Sequence, residues 1–408
     1  MKIDFLSKII NVNKEEWKKT QNNVLLHSIK NQQKVSPDDI LALALQNNVK
    51  FNMDNIIQTL VKDENINHDE LIIPFKPTIE VVKVDKDSCE YQIKFSYTST
   101  RQFANFNLKF DCSKFSYPSL TEAKLEEAYQ AFVKNYQYLD DVSEVNEDDI
   151  VSITYNVSQD SQELAKDVNL TIKASKKDTW TINQELIGAK LNDTIGVNDP
   201  DRQHYEITIK KIRRIFHAEL TKELLPTLQM ETIKTLDDLK AKLFKDFKKD
   251  FASQNLLQFY HYALEQLILV NNLQPHPHDI DQDFEAKKEA FFKDANEALK
   301  AKLEDENNEE NKKLMHEILL SAITNKAIQL AEVVLSRMFL DENDKLITNE
   351  LISNELRHIE ETGSSDTIAK SPEQMHNILR RKLTALRLAK INDENLYNNL
   401  SNDLNIYV

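Results

Sequence analysis

The residues with the clearest capacity for chemistry are the two histidines and the aspartate of Pro275-His276-Pro277-His278-Asp279. Imidazole and carboxylate groups at close spacing are typical ligands of zinc. However, the two prolines hold this backbone extended, and no third cluster of ligands lies nearby in the sequence. We therefore interpret the segment as the corner between two helices, and we predict no metal and no cofactor.

The glycine content excludes several classes of enzyme site. Only three glycines occur in the 408 residues, Gly188, Gly196 and Gly363. Phosphate-binding loops and dinucleotide-binding turns need several glycines within a few residues, because the backbone must approach the phosphates closely. The sequence therefore predicts no nucleotide site of these kinds.

The acidic pairs and the cysteines also have structural interpretations. Asp148–Asp149 and Asp237–Asp238 stand at the predicted starts of elements, where a carboxylate caps backbone N–H groups rather than serving as a general acid or base. Cys89 and Cys112 fit no metal-binding spacing. In a chain without a secretory signal we expect both cysteines to be reduced and buried.

Length and charge limit the location and the partners. The formal net charge of −15 argues against nucleic acid as a direct partner, because neutralising phosphates needs a basic surface. No window approaches 18 uncharged apolar residues, and the N-terminus lacks the apolar core and cleavage site of a signal peptide. We predict a cytoplasmic protein of two to four domains without a membrane partner.

The chain is organised around residues 205–239. This segment begins as an alternating strand, crosses a basic run, and reaches Thr235, which is followed three residues later by Asp238 as in a helix N-cap. Strands and short helices are predicted before it, and almost only helices after it. The pattern predicts an α+β multidomain protein with an N-terminal α+β domain (1–112), a helical segment (113–146), a small β-rich domain (147–214) and a mostly α-helical domain (215–408).

Hydrophobic periodicity locates the individual elements. Near the N-terminus we predict helices at 14–29 and 37–61, strands at 79–84 and 91–97 that form a hairpin, and an extension of that sheet by 103–110. Farther along we predict a helix from 118 to about 139, strands at 150–157, 168–172 and 205–212, and a short helix at 181–187 that ends on Gly188. The C-terminal helices are predicted at 235–272, 280–303, 314–340, 348–360 and 372–391.

The order of these pieces resembles the trigger factor family, the ribosome-associated bacterial chaperones. Seven short matches follow one another in the family's order: residues 78–81 with Phe95 (PxIEV…F), 148–155 (GDxVxIDF), 184–188 (EEQLIGM), 205–212 (a closing strand), 235–239 (TLEEL), 347–355 (VTDEELDAEI) and 383–391 (VLDFLLEKAKV). The resemblance implies a ribosome-binding N-terminal domain, a linker helix at 113–146 that belongs to the helical body, an FKBP-like prolyl-isomerase domain at 147–214, and a helical C-terminal domain with two arms. It also implies unfolded or nascent polypeptides as partners, and the ribosome near its exit tunnel.

The ribosome-binding signature is degenerate in this chain. The family's GFRxGKxP falls on residues 28–37, where its glycines, phenylalanine and arginine are absent and Lys30 and Lys34 remain. An exposed Phe–Arg loop docks by apolar and charge contacts, so its loss implies weakened ribosome binding. Two hypotheses stay open for Lys30 and Lys34, a residual docking role and an ordinary solvated loop.

The isomerase domain is eroded as well. Ile182 stands where the resemblance places the aromatic floor of the pocket, and the family's Asp-Gly-Phe-Gly-Gly segment is missing before Val168. Isomerisation needs a dry aromatic cradle that lowers a barrier of about 18–20 kcal/mol. Tyr155, Trp180, Ile182 and Tyr205 could line a vestigial pocket or form the core of a small β domain, and we predict little or no isomerase activity.

The helix predicted at 314–340 is unusually apolar. One stripe of it is typical of the spine of the helical body, and the apolar surface extends beyond that stripe. It could be core, a surface that binds unfolded clients, or a dimer interface, since adaptable methionine and aromatic side chains suit promiscuous binding. The candidate client-binding residues are Ile328, Leu335, Met338 and Phe339.

The functional hypothesis is an ATP-independent holdase that binds unfolded or nascent polypeptides and prevents their aggregation, as a monomer or weak dimer. One alternative is a scaffold protein of the same architecture that binds a single dedicated partner. The other is a weak residual peptidyl-prolyl isomerase, which the missing pocket aromatic argues against.

Overall fold

The chain forms two compact units in the computed structural model, which describes residues 1, 3–32, 34–160, 162–176, 179–230, 232–294, 308–362 and 371–408. The body unit consists of Met1–Tyr117 together with Asp250–Val408, and the middle unit is Pro118–Lys249. The architecture is multidomain α+β with a mostly helical C-terminal region, as predicted. The four-part division of the sequence stays a prediction. The end of the predicted helix 280–303 and Gly363 lie outside the described residues.

The N-terminal part of the body unit is a four-stranded antiparallel sheet covered by two helices. Its central strand buries Tyr91, Ile93 and Phe95 on alternate positions, because period-two spacing sends these side chains to one face, where the helices pack. The elements are β1 (Asp4–Val12), α1 (Lys14–Lys30), α2 (Pro37–Asp63), β2 (Leu71–Ile72), β3 (Thr78–Val84) and β4 (Cys89–Ser99), with β4 pairing to β1, β2 and β3.

Local signals set the start of α2 and the β3–β4 hairpin. Ser36 accepts the Asp39 N–H at 3.1 Å and the Asp39 carboxylate accepts the Ser36 N–H at 2.9 Å, which is a complete capping box ahead of Pro37. Thr78 to Val84 pairs antiparallel with β4, which confirms the predicted hairpin.

The prediction that residues 103–110 extend the sheet is wrong. Residues Thr100–Asn105 form a 3₁₀ helix, and β1 pairs with β4 instead, from Asp4 opposite Tyr97 to Val12 opposite Cys89. Phe103, Phe106 and Phe110 pack against the helical core. Their apolar surface is therefore buried by helices, whereas β1 supplies the backbone partner that β4 needs.

The middle unit is built on a five-stranded antiparallel sheet. Its strand order is β5-β9-β6-β7, and β8 also pairs with β9. Residues after Asn135 form strand β5 rather than the predicted helical extension, because Tyr136 to Asp141 pair with Ala218 to Arg213 of β9. The elements are α3 (Glu122–Lys134), β5 (Tyr136–Asp141), β6 (Ile150–Gln159), β7 (Gln162–Lys173), α4 (Ile182–Glu185), β8 (Thr194–Asn198) and β9 (His204–Ala218).

The two faces of this sheet differ sharply. One face buries Ile153, Ile207 and Ile209 completely or almost completely. The other face carries hydroxyl pairs across the strands, such as Ser152–Thr171 at 2.9 Å between their oxygens. A one-residue slip would exchange the two faces, so this contrast specifies the register. At the edge of the core, Gly188 ends the segment after α4 with a φ of +87° that favours glycine.

The acidic pairs behave differently from one another. Thr235 accepts the Asp238 N–H at 3.1 Å and Asp238 accepts the Thr235 N–H at 2.9 Å, so this pair caps helix α5 (Leu236–Asn271) as predicted. Asp149 does not cap an element. It is 1 % exposed and binds the guanidinium of Arg214, whose Nε and Nη2 donate to its two oxygens at 2.8 Å each.

The helical part of the body unit has one continuous core. Helix α7 (Glu309–Met338) contributes Leu330, Val334 and Leu335, all fully buried, against residues of α5 and of α10 (Pro372–Asn392). Helix α11 (Glu394–Leu404) was not predicted from the sequence. The helices after α5 are α6 (Pro277–Asp294), α7 (Glu309–Met338), α8 (Leu340–Asp344), α9 (Asn349–Thr362), α10 (Pro372–Asn392) and α11 (Glu394–Leu404).

Helix α7 is also long and apolar enough to cross a membrane by length and composition alone, and it is the one such helix among the described residues. Core helices of soluble proteins meet the same criterion. The buried residues Ala322, Ala327, Leu330 and Val334 lie along α7.

The segment 275–279 joins the N-terminal sheet to the helices within the body unit. The His276 ring stacks on Phe5 with 4.2 Å between centroids, and the Ser96 hydroxyl donates to the buried Asp279 carboxylate. Since α5 ends at Asn271 and α6 begins at Pro277, the predicted helix corner is confirmed. The imidazole and carboxylate groups are thus used in packing and hydrogen bonding.

Replacing Asp279 with asparagine should change how the stability of the body unit depends on pH. Burial raises the pKa of Asp279, and the hydrogen bond from Ser96 only partly opposes this. A raised folded-state pKa contributes stability that is complete below the unfolded value of about 3.9 and is lost as pH rises through the folded value. The unfolding free energy of the unmodified protein, measured in urea relative to Asp279→Asn, should therefore fall as pH rises from 4.

The two proteins differ only at position 279, so the difference between their two stability curves isolates Asp279. Asp281→Asn, at an exposed position of the same helix, is the control and should leave the curve nearly unchanged. If the unmodified protein instead gained stability relative to Asp279→Asn as pH rises, Asp279 would be stabilised in its charged form and the prediction would be wrong.

Candidate polypeptide-binding site

Three of the four predicted pocket residues meet in the middle unit. The Tyr155 ring on β6 and the Tyr205 ring on β9 are 6.1 Å apart between centroids, and Trp180 lies 5.7 Å from Tyr205. The strand register produces this meeting, because Tyr155 pairs with Ile207 and Val157 with Tyr205, so the two tyrosines are diagonal neighbours on one face. We call Tyr155, Trp180 and Tyr205 the ring cluster.

Ile182, the fourth predicted residue, lies on helix α4 instead of on the sheet. It begins helix α4 and packs, half-buried, against the same core as Tyr155 and Tyr205. All four side chains are intermediate in exposure, so each is packed on one side and reachable on the other. The arrangement is a partly open apolar surface rather than a sealed core.

The strand next to the ring cluster extends this surface to the edge of the sheet. Val168 of β7 lies opposite Tyr155, and Leu170, which is 39 % exposed, lies opposite Ile153. In the described residues β7 is the last strand on this side and pairs only with β6. An edge strand offers free backbone N–H and C=O groups, which an extended peptide can use.

The phenol of Tyr205, the polar group at the centre of the ring cluster, is neutral. Burial raises the pKa of Tyr205, helped by the carboxylate of Asp199, so the phenol stays protonated and donates to Gln203 at 3.2 Å. Thr181, between Trp180 and Ile182, has a buried hydroxyl without a hydrogen-bond partner in the described structure. Such a group costs about 1–3 kcal/mol, so this corner of the unit is not optimised for stability alone.

The end of helix α1 forms a second apolar surface, in the body unit. Lys30 and Lys34 are exposed there, as are Leu26 and Ile29 with 64 % and 63 % of their surface accessible. The two lysines were predicted from the sequence, whereas the two apolar residues were not. Helical periodicity does indicate these two residues, because Leu26 and Ile29 lie off the face on which Trp17, Val24 and Ser28 are buried.

The candidate residues of helix α7 divide into two groups. Leu335 is fully buried and Phe339 is 8 % exposed, and both belong to the helical core. A client could not contact them in the folded protein, so the core alternative is correct for these two. Ile328 and Met338 are half-buried against that core. The exposed apolar residues of this helix are instead Leu320 and Ile323, at 49 % and 37 %.

The ring cluster is suited to binding rather than to bond chemistry. Its side chains are phenols, an indole and aliphatic groups, which attract apolar and aromatic side chains by about 0.5–1.5 kcal/mol for each well-oriented ring pair beyond area burial. Among the described residues no group of three or more His, Cys, Asp or Glu side chains is placed to hold a metal ion. The geometry therefore supports capture of an apolar segment.

Comparison with known proteins gives a likeness among the solved structures. No family model and no curated protein matches the chain. A structure of the trigger factor chaperone, from work on promiscuous substrate recognition in its folding and assembly activities, is among the solved structures that match. The chain is similar to that chaperone over 95 % of its own length and 97 % of the other, at 16 % sequence identity and a TM-score of 0.34.

Proposed function

We propose that this protein is an ATP-independent chaperone, a holdase of the trigger factor type that binds exposed apolar segments of unfolded or nascent polypeptides in the cytoplasm. The observation that carries the proposal is the half-open ring cluster of Tyr155, Trp180 and Tyr205, which continues through Val168 and Leu170 to an edge strand. Folded proteins usually cover such a surface unless it binds something.

The proposed mechanism is mass action. An extended client segment adds to the outer edge of β7 through backbone hydrogen bonds, and its alternate side chains pack on the ring cluster. Each 100 Å² of apolar area that it buries contributes about 2.5 kcal/mol, before the cost of ordering the segment. Binding is therefore weak for one segment, and release needs no nucleotide.

The end of helix α1 supports a second part of the proposal. Leu26 and Ile29 beside Lys30 and Lys34 combine the apolar and positive groups that docking on an anionic particle needs. We propose residual ribosome association through this surface. Co-sedimentation with ribosomes, repeated with Ile29→Ser and with Lys30→Ala, tests it against an ordinary solvated loop, which neither change would affect.

Light scattering of an unfolded, aggregation-prone protein diluted into increasing amounts of this chain tests the holdase proposal. Without nucleotide, we expect aggregation to be suppressed near stoichiometric ratios, and less well by the double variant Trp180→Ala/Tyr205→Ala. Thr154→Ala, on the opposite face of β6, is the matched control and should suppress like the unmodified chain. Circular dichroism establishes that each variant is folded.

An absence of suppression by a folded protein would contradict the proposal and favour the dedicated-partner alternative. A lysate pull-down then separates the two, because a holdase retains many unfolded proteins and a scaffold retains one. The ring cluster also calls for a proline-peptide isomerisation assay, in which we expect no acceleration, since Ile182 supplies no ring at the pocket floor.

A further inference from the structure

A cleft of about 640 Å³ lies in the helical part of the body unit and is lined by three arginines. Arg337 comes from helix α7, and Arg380 and Arg381 are adjacent on helix α10. These positions are far apart in sequence, so only the packing of α7 on α10 brings the guanidinium groups to one place. Positive groups that line one cleft repel one another, and a bound anion relieves this repulsion.

One of the three arginines, Arg380, is held in a well-defined ion pair. Arg380 binds Asp344 through Nε and one terminal nitrogen, each 2.6 Å from a carboxylate oxygen, which holds the pKa of Asp344 below its usual range. The other terminal nitrogen of Arg380 takes no part in these two hydrogen bonds to Asp344, so its N–H groups can still donate. The fork therefore positions Arg380 without using up its hydrogen-bonding capacity.

The other two arginines are available. Arg381 is 69 % exposed, and its Nε lies 3.8 Å from Glu332, beyond hydrogen-bond distance. Arg337 is exposed and has no ion-pair partner among the described residues. Glu332 is the one carboxylate among the described residues that line the cleft, and Asp344, outside the lining, pairs with Arg380. One of the three positive charges therefore stays uncompensated, in a chain whose net charge is −15.

The remaining walls indicate the kind of anion. Val333, Leu340 and Ile378 provide a half-buried apolar wall, and Ser336 and Asn377 provide hydrogen-bonding groups. A small inorganic anion would use the arginines alone. A carboxylate next to an apolar side chain uses both the arginines and the apolar wall, and arginine is the residue that binds carboxylates through two parallel hydrogen bonds.

We propose that this cleft binds acidic segments of polypeptides, in which aspartate or glutamate stands next to leucine, isoleucine or valine. The inference rests on the proposed function and deepens it. The ring cluster would select apolar segments, and the arginine cleft would be a second site that selects for negative charge.

Fluorescence anisotropy of two labelled peptides tests the inference on the full chain. One peptide alternates leucine with glutamate, and the other alternates leucine with glutamine. We expect the glutamate peptide to bind about tenfold more tightly at low salt, as one charge-assisted hydrogen-bond pair contributes, and this preference to shrink in 0.5 M NaCl. Equal binding of the two peptides would overturn the inference.

Variants that remove a positive or a negative charge from the cleft locate the binding site. Arg337→Gln and Arg381→Gln should each weaken binding of the glutamate peptide about three- to tenfold, whereas Glu332→Gln should tighten it, because it removes the competing carboxylate. Arg357→Gln, an exposed arginine on α9 that does not line the cleft, is the matched control and should have no effect. Weakening by all three arginine variants, with no effect of Glu332→Gln, would indicate a general charge effect and reject the site.

Two further measurements separate this inference from the proposed function. Inorganic phosphate that competes as well as the glutamate peptide, with equal effect on all variants, would show an anion site without peptide recognition and overturn the inference. The aggregation assay is read in parallel with Arg337→Gln/Arg381→Gln. Suppression of aggregation without a charge preference leaves the holdase proposal standing and rejects the acidic-segment site.

Discussion

Replacing Arg214 with methionine is expected to destabilise the middle unit by about 3 kcal/mol, near the lower end of what breaking a buried ion pair costs. Among the described residues, the change would leave the Asp149 carboxylate, which is 1 % exposed, with only the Asn146 N–H at 2.7 Å as a hydrogen-bond donor to its side chain. Arg214 is itself 31 % exposed, which keeps the loss at the lower end. Chemical unfolding followed by circular dichroism measures it.

The pH dependence of this loss has a definite sign. Burial by itself would raise the pKa of Asp149, but the hydrogen bonds from Arg214 and Asn146, together with the charge of Arg214, hold it below its usual value. A lowered folded-state pKa gives stability that is present above the unfolded value of about 3.9 and is lost as pH falls through the folded value. The difference in unfolding free energy between the unmodified protein and Arg214→Met should therefore be largest near neutral pH and should shrink below pH 4.

Two controls decide whether the buried pair is responsible. Lys211→Met removes a neighbouring pair with Asp141 whose side chains are 52 % and 66 % exposed, and it should cost less than about 1 kcal/mol. In the double variant Arg214→Met/Asp149→Leu both charges are gone, so part of the loss should be recovered. An Arg214→Met protein as stable as the unmodified chain would contradict the prediction.

Replacing Leu335 with alanine is expected to destabilise the body unit by about 2–5 kcal/mol, the range for deleting a fully buried leucine side chain. Leu335 packs in the helical core from helix α7, and the surrounding helices can only partly close the resulting cavity. Chemical unfolding of the full chain, read by circular dichroism, gives the change.

Leu320→Ala is the matched control on the same helix. Leu320 is 49 % exposed, so its loss should be below about 1 kcal/mol. Suppression of aggregation should show the reverse order if the exposed part of α7 contacts clients, with Leu320→Ala weakening it and Leu335→Ala acting only through stability. A Leu335→Ala protein with unchanged stability would show that the position is not core.

The predictions that succeeded depend on signals that act within a turn or along a strand. Ser36 and Asp39 lie three residues apart and cap α2, and Thr235 and Asp238 do the same for α5. Gly188 takes a positive φ that only a glycine adopts at little cost. The residues of the ring cluster were named from the family resemblance, and the pairing of β6 with β9 is what puts Tyr155 and Tyr205 on one sheet face.

The sequence by itself therefore determined the features that depend on neighbouring residues, namely helix starts, alternating strands, the corner at 275–279 and the α+β class. The tertiary structure alone decided which edge β1 would fill, that residues 136–141 pair with β9, that Leu335 is core, and that Arg337, Arg380 and Arg381 meet. The physical reason is that capping and periodicity are encoded within a few residues. Partner choice depends instead on apolar area and charge that lie tens to hundreds of residues away, and it exists only once the chain has packed.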